Sequence, residues 1–134
     1  MNHYFNTFSL KTNRRSDLID ITSEVEAAVA KSGIDNGTVI VYCPHTTGGI
    51  TINENADPDV VHDMLSTLDK LIPQNPSYRH IEGNSDSHVK SSLVGISETV
   101  LIRNGKMQLG TWQGLYFCEF DGPRNRRVLL QVSG

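Results

Sequence analysis

The chain has 134 residues, of which 37% are hydrophobic and 20% are charged, and its formal net charge at pH 7 is −3. This composition fits one globular domain with a single core, and the small negative charge excludes nucleic-acid binding through a broadly basic surface. No apolar run approaches the ~20 residues that a membrane-spanning helix needs. Since neither a signal-peptide pattern nor a CxxC motif occurs, we expect a cytoplasmic protein in which Cys43 and Cys118 are reduced and buried.

The first third of the chain alternates between strand and helix patterns. Residues 3–12 alternate in polarity, which predicts a strand. Residues 20–35 predict a helix with one apolar stripe, capped by Thr22 or Ser23 at its start. The β-branched run TVIVYC, residues 38–43, predicts a central strand covered on both faces.

The stretch HTTGGITINENAD, residues 45–57, also has the alternation of a strand, but it is unusually rich in functional groups. Imidazole, hydroxyl, amide and carboxylate side chains all occur in it beside two glycines. A second helix follows, because Asp57 is a good N-cap, Pro58 suits the first helical position and Pro73 stops the apolar stripe.

The last part of the chain predicts one short helix followed by strands. The helix covers residues 85–95, and Asn104-Gly105 is a strong signal for a tight hairpin. The segment DGPRN, residues 121–125, predicts a second hairpin with a longer loop. We therefore predict an α+β protein: a single domain, residues 1–134, with two main helices packed on one large, mainly antiparallel sheet.

Polar residues gather in three clusters, residues 45–57, 79–92 and 112–127. Each is too small to form a pocket alone, so we expect the three to converge in space. The first two contain three of the five histidines, and imidazole suits both proton transfer and metal binding. Their spacing matches no tight zinc motif, and the alternative is that each histidine only hydrogen-bonds in a turn or at a subunit contact.

Two charged residues have both a functional and a structural interpretation. Glu119 falls on the apolar face of a strand, which favours either a role in a site or an ion pair with Arg126 or Arg127. Lys90 lies near a predicted helix start, where an ammonium group and free backbone N–H groups form an anion site, or where the helix is simply a capped surface helix.

Three segments resemble, in order, the signature blocks of the YjbQ-like family: PHTTGGITINENADPDV, HIEGNSDSHVKSSLVG and GKMQLGTWQGLYFCEFDGPRNRRV. Members of that family are often labelled secondary thiamine-phosphate synthases. The resemblance implies a compact α+β fold, a homotrimer and a polar pocket near a subunit boundary. It also implies a transferase that joins hydroxymethylpyrimidine pyrophosphate to a thiazole phosphate and releases pyrophosphate.

The resemblance, carried over position by position, gives the candidate site residues. The catalytic candidates are His45, His88 and Glu119. The candidates for binding a small phosphorylated substrate are Thr46, Thr47, Asn53, Asn84, Lys90, Ser91, Gln113 and Arg124. The candidate ligands of a divalent metal, Mg²⁺ or Zn²⁺, are His80, Asp86 and Asp121.

Other functions fit the same residues. One alternative is a non-catalytic protein that binds a small phosphorylated or carboxylated metabolite. Another is a metal-dependent hydrolase, which becomes plausible if the histidines bind a transition metal. In a third, the clusters are trimer contacts only. On the anion-site hypothesis Lys90 lies at the pocket rim, so its loss should weaken phosphate binding and leave stability nearly unchanged.

Overall fold

Two antiparallel sheets and three helices make up the fold in the computed structural model, which describes residues 2–134. The helices are α1 (Thr22–Ser32), α2 (Pro58–Leu71) and α3 (Ser85–Val94). The strands are β1 (His3–Lys11), β2 (Asp17–Asp20), β3 (Gly37–Tyr42), β4 (Gly48–Glu54), β5 (Ser97–Arg103), β6 (Lys106–Met107), β7 (Gln113–Glu119) and β8 (Asn125–Ser133).

The predicted α+β class and antiparallel pairing are confirmed, but the strands divide between two sheets. The larger sheet has the order β1-β8-β3-β5-β6, and the smaller has the order β2-β7-β4. The predicted hairpin across residues 121–125 is therefore wrong. β7 pairs with β2 and β4, whereas β8 pairs with β1 and β3, so the connection crosses from one sheet to the other.

The main core lies between the two sheets and is closed by α1. Val25, Ala28 and Val29 form the buried stripe of α1, as predicted. The helix ends at Gly33, whose φ of 68° is a left-handed conformation that glycine adopts without steric cost. The cap differs from the prediction, because a carboxylate oxygen of Asp20, rather than the Thr22 or Ser23 side chain, accepts the Thr22 N–H.

The outer face of the five-stranded sheet is uncovered in the single chain. β3 is central, as predicted, but only one of its faces is buried: Val39 and Val41 face the core, whereas Ile40 is 42% and Tyr42 39% exposed. The prediction of a strand covered on both faces is therefore wrong for the isolated chain. Residues of neighbouring strands extend this apolar surface, among them Phe5 and Leu101.

α2 begins as predicted but packs more loosely than the other elements. Asp57 caps it by accepting the Asp59 N–H at 2.9 Å, and Pro58 occupies its first turn. None of its 14 residues is buried. Its apolar stripe instead lies half-exposed against a small second core that contains Tyr116 and Phe120.

Two local predictions are confirmed. Asn104 and Gly105 both have positive φ, 52° and 74°, at the tight turn between β5 and β6. Cys43 and Cys118 are free and buried, and burial raises the pKa of both thiols. Within residues 2–134, no helix has the length and apolarity needed to span a membrane.

Candidate functional site

The connection between β3 and β4 is fixed by contacts to both sheets. The N–H of Phe120, directly after β7, donates to the carbonyl of Thr47 at 3.1 Å. The N–H of Arg127 in β8 donates to Nε2 of His45 at 3.0 Å. The imidazole of His45 is therefore held at the point where the two sheets meet.

A cavity of about 460 Å³ opens beside this connection, and residues from all three polar clusters line it. We call it the histidine pocket. The first cluster contributes the β3–β4 connection, the second contributes α3 and the loop before it, and the third contributes the β7–β8 connection. The lining residues are Pro44, His45, Thr46, Thr47, His80, Glu82, Asn84, His88, Arg124 and Arg126. The predicted convergence of the three clusters is thus present in the fold.

Two of the histidines form a pair at one side of the pocket. The rings of His80 and His88 meet edge to face, with centroids 5.6 Å apart. Nε2 of His80 lies 3.8 Å from a carboxylate oxygen of Glu82, which is too long for a hydrogen bond. Within residues 2–134, neither ring nitrogen of His88 makes a hydrogen bond, so His88 is free to bind a ligand.

The hydrogen bond to His45 fixes its protonation state. A backbone N–H can donate only to an unprotonated nitrogen, so Nε2 is the acceptor and the neutral ring has its proton on Nδ1. Burial and the nearby guanidinium of Arg126 lower the pKa of His45. At neutral pH His45 is therefore a hydrogen-bond donor through Nδ1, and its Nε2 is unavailable as a proton acceptor.

The floor of the pocket is a buried ion pair between Arg126 and Glu119. Nε of Arg126 donates to Glu119 at 2.8 Å, and its NH2 group bonds both the second Glu119 oxygen and Oγ1 of Thr47. Glu119 also accepts the hydroxyl of Thr12 at 2.7 Å and the N–H of Asp121 at 3.0 Å. Burial alone raises the pKa of Glu119, but these hydrogen bonds bring it below its usual value. Both carboxylate oxygens are occupied, so Glu119 supports the pocket and does not face it.

The mouth of the pocket has a second, more exposed ion pair. NH2 of Arg124 donates to Asp121 at 2.8 Å, and Nδ2 of Asn84 donates to the same oxygen at 2.7 Å. Although burial raises the pKa of Asp121, the bonds from Asn84 and Arg124 lower it overall. The side chain of Arg124 remains 49% exposed, so its guanidinium can still reach a ligand.

Comparison with known proteins identifies the family. Residues 6–134 match the family model described as UPF0047 protein YjbQ-like. A UPF0047 protein of Methanocaldococcus jannaschii is 53% identical over 95% of this chain and 92% of its own length. The UPF0047 protein YugU of Bacillus subtilis is 54% identical over 96% of this chain and 98% of its own length.

The chain belongs to the YjbQ-like family. Solved structures of the family have the same fold. An uncharacterized conserved protein of the YjbQ/UPF0047 family from Clostridium acetobutylicum superimposes with a TM-score of 0.94 at 55% identity, covering 96% of this chain and 99% of that one. A YbjQ-like protein of unknown function from Sulfolobus solfataricus P2 also gives 0.94, at 32% identity, covering 98% of this chain and 96% of that one.

The predicted thiamine-phosphate synthase function is wrong on this comparison. The YjbQ-like relatives are named only as UPF0047 or YjbQ proteins, and the structures as uncharacterized or of unknown function. None of these names refers to thiamine or to a transferase. The sequence blocks therefore establish the family and the fold but no reaction.

Lys90 does not lie where the sequence suggested. It falls in the middle of α3, it is 1% exposed, and its Nζ lies 2.5 Å from Asp69 of α2 and 4.0 Å from Asp86. Asp86 is in turn held by both NH groups of Arg15, at 3.1 and 3.2 Å. The predicted rim position of Lys90 is wrong because α3 turns its polar face inward, where the ammonium joins two neighbouring elements.

Three other predicted ligand-binding residues are also engaged or distant. Ser91 donates to the carbonyl of Gly48 at 2.6 Å and so ties α3 to β4. Asn53 lies opposite Gly114 at the far end of the small sheet, and Gln113 accepts the N–H of Gly110 there. Since the pocket adjoins the other end of β7, about five strand residues or ~17 Å away, Asn53 and Gln113 do not line it.

The predicted metal ligands do not form one site. His80 is at the pocket side, Asp86 is bound by Arg15, and Asp121 is bound by Arg124 and Asn84. Across residues 2–134, no group of three His, Cys, Asp or Glu side chains is arranged to hold a metal ion. Because arginine occupies the carboxylates that a divalent cation would need, His80, Asp86 and Asp121 do not fit a shared metal.

The sequence prediction placed Arg126 only as an ion-pair partner and missed Arg15 altogether. Arg126 lines the pocket and alternates with Val128 on the inner face of β8. That alternation was the available signal, since an arginine at an inward strand position needs a buried partner. Arg15 has no comparable signal, because it lies in a connection whose direction the sequence does not reveal.

Proposed function

We propose that the histidine pocket binds the anionic group of a small phosphorylated or carboxylated molecule. The observation that carries the proposal is the convergence of His45, His80 and His88 with Arg124 around one cavity. The names of the relatives mention no activity, so the support comes from the chemistry of these side chains.

The hydrogen-bond donors around the pocket favour an anion over a cation. The carboxylate of Glu119 is neutralised by Arg126, and that of Asp121 by Arg124. Glu82 is the only acidic residue among the described residues that line the pocket, and its side chain is 67% exposed. The donors that remain for a ligand are guanidinium and imidazole N–H groups, which suit phosphate or carboxylate oxygens.

The N-terminus of α3 adds to this field. Asn84, the residue before α3, lines the pocket, so the positive end of the ten-residue helix lies beside it. The first backbone N–H groups of a helix have no partner within the helix and attract negative charge. A helix start, an arginine and donor imidazoles together form a site of the kind that holds an oxyanion.

The experiment compares two histidine variants in titration calorimetry with inorganic phosphate and with acetate. His88→Gln removes an imidazole from the pocket, whereas His62→Gln makes the same change on the exposed surface of α2. We expect His88→Gln to weaken phosphate binding about tenfold, the effect of losing one hydrogen bond to a charged group, and His62→Gln to leave it unchanged. Equal affinities in the two variants, or no binding to wild type, would disprove the proposal.

We further propose that the chain assembles as the homotrimer implied by its sequence blocks. Support comes from the uncovered face of the five-stranded sheet, where Phe5 is 62%, Ile40 42% and Leu101 63% exposed. Phe5 and Ile40 both pair with Gln131, so these side chains form one continuous surface. Tyr42 on the same face lines a cavity shared with His45 and His88.

Sedimentation of two variants tests the assembly. Ile40→Asp puts a charge on the uncovered face, and Ile81→Asp puts one on a loop residue that is 98% exposed. We expect Ile40→Asp to release monomers and Ile81→Asp to stay trimeric. A monomeric wild type at micromolar concentration would contradict the assembly. Catalysis stays a prediction, for which the His80–His88 pair is the part of the pocket suited to proton transfer.

A further inference from the structure

A second large cavity lies away from the histidine pocket, between α2 and the three-stranded sheet. Its volume is about 800 Å³, within the range of small-molecule sites, and it shares no lining residue with the histidine pocket. Leu18 and Tyr116 form its floor, and Val61 and Leu65 of α2 form one wall. The cavity exists because α2 leaves its apolar stripe only half-covered.

The polar groups at one end of this cavity are acidic and lack cationic partners. Asp20 accepts bonds from Thr22 and Asn55, and Asp57 accepts the N–H of Asp59, so all their donors are neutral. Among the described residues, no Lys, Arg or His lies within 4.0 Å of either carboxylate. The basic residues that line the cavity lie away from this end: His62 and Lys70 are five and thirteen positions beyond Asp57 along α2, about 7 and 20 Å along the helix axis, and Arg14 precedes the opposite end of β2 from Asp20.

Tyr116 lies in the same negatively charged environment. Its hydroxyl donates to the carbonyl of Glu54 at 2.9 Å, and burial together with Asp20 and Glu54 raises the pKa of the phenol. An electronegative end beside an apolar floor complements a molecule with a positive head and an apolar body.

We propose that this cavity binds a small organic cation, such as an alkylammonium with an aromatic or aliphatic body. The body packs on Leu18, Val61 and Leu65, and the ammonium lies between Asp20 and Asp57. This site is separate from the anion pocket and takes a ligand of opposite charge.

Three phenylalkyl probes of similar length but with different head groups test the charge preference: 4-phenylbutylammonium, 4-phenylbutanol and 4-phenylbutyrate. In titration calorimetry we expect the ammonium to bind about tenfold more tightly than the alcohol, and the carboxylate to bind weakest. Asp57→Asn keeps the helix cap but removes one of the two carboxylate charges, so it should bring the affinity of the ammonium closer to that of the alcohol. Asp63→Asn is the matched control, since Asp63 is on α2 but does not line the cavity.

A second variant tests the location. Leu65→Trp fills the cavity and should weaken binding of both the ammonium and the alcohol, while an unchanged circular dichroism spectrum shows that the protein remains folded. The proposal is overturned if the butyrate binds as well as the ammonium, if Asp57→Asn and Asp63→Asn behave alike, or if no probe binds. If no probe binds and Leu65→Trp changes the sedimentation of the protein, the cavity would instead be a contact with a second copy of the chain.

Discussion

The floor and the mouth of the histidine pocket each contain one arginine–carboxylate pair, and both pairs come from the β7–β8 connection and the strand ends beside it. At the floor, the side chains of Arg126 and Glu119 are 4% and 0% exposed. At the mouth, those of Arg124 and Asp121 are 49% and 15% exposed. The same two chemical groups therefore meet in two environments only a few residues apart.

The difference in burial separates structural from ligand-binding charge. A buried pair cannot lose one partner without leaving an uncompensated charge in the protein interior. An exposed pair contributes little to stability, since water solvates each partner when the other leaves. We therefore assign stability to the floor and ligand binding to the mouth.

The largest expected loss of stability comes from removing the ion pair at the floor of the pocket. Glu119→Gln leaves the guanidinium of Arg126 without its counter-charge, so we expect the free energy of unfolding to fall by about 3–5 kcal/mol. Urea unfolding followed by circular dichroism measures it. Asp121→Asn makes the matched change at the mouth and should cost less than about 1 kcal/mol. Similar losses in the two variants would show that burial does not distinguish the pairs.

A second buried charge extends the comparison beyond the pocket. Lys90→Ala should lower the free energy of unfolding by about 2 kcal/mol, below the range for a fully buried pair because its partner Asp69 is 59% exposed. Phosphate affinity should not change, because Lys90 does not line the histidine pocket. Lys70→Ala removes an exposed lysine from the same end of α2 and should change stability by less than about 0.5 kcal/mol. If Lys90→Ala lost phosphate binding, Lys90 would belong to the anion site after all.

Lys90 also shows where sequence reasoning stopped. Polar residues of a helix normally face solvent, but α3 buries Asp86, Ser87, Lys90 and Ser91 and exposes Leu93 and Val89. Local periodicity gave the helix and its end at Gly95, because capping and propensity are local. It could not give the orientation, which depends on Arg15 and Asp69 from distant parts of the chain.

The same limit explains the sheet. The alternation in residues 3–11, the Asp57-Pro58 helix start and the Asn104-Gly105 turn were all predictable, since each is decided within a few residues. The DGPRN segment reads as a hairpin turn because turn chemistry says that the chain reverses. Turn chemistry does not determine which sheet the next strand joins. The choice of sheet decides whether Glu119 and Arg126 face each other across one sheet or across the core.

At the mouth, substitution of the arginine should weaken ligand binding more than it lowers the free energy of unfolding. Arg124→Gln should lower the free energy of unfolding by less than about 1 kcal/mol and weaken phosphate binding about tenfold. The loss should shrink as salt concentration rises, because screening weakens the attraction that the variant lacks. Arg103→Gln, an exposed change on β5, is the control. If Arg124→Gln retained full phosphate affinity at low salt, the histidines alone would bind the anion.

The smallest expected effect concerns His45, which lines the pocket close to Arg126 at the floor. Burial and Arg126 lower its pKa in the folded protein, whereas a histidine in the unfolded chain has a pKa of about 6.5. As pH falls through that value, the unfolded chain takes up a proton that folded His45 does not, so the free energy of unfolding decreases until the pH reaches the lower folded pKa.

His45→Gln retains an acceptor for the Arg127 N–H but does not titrate. We therefore expect its stability to fall less steeply than that of wild type between neutral pH and the onset of carboxylate protonation. Urea midpoints measured at several pH values check this, with the exposed His62→Gln as the control that keeps the wild-type slope. Parallel curves for wild type and His45→Gln would show that neither burial nor Arg126 lowers the pKa of His45 in the folded protein.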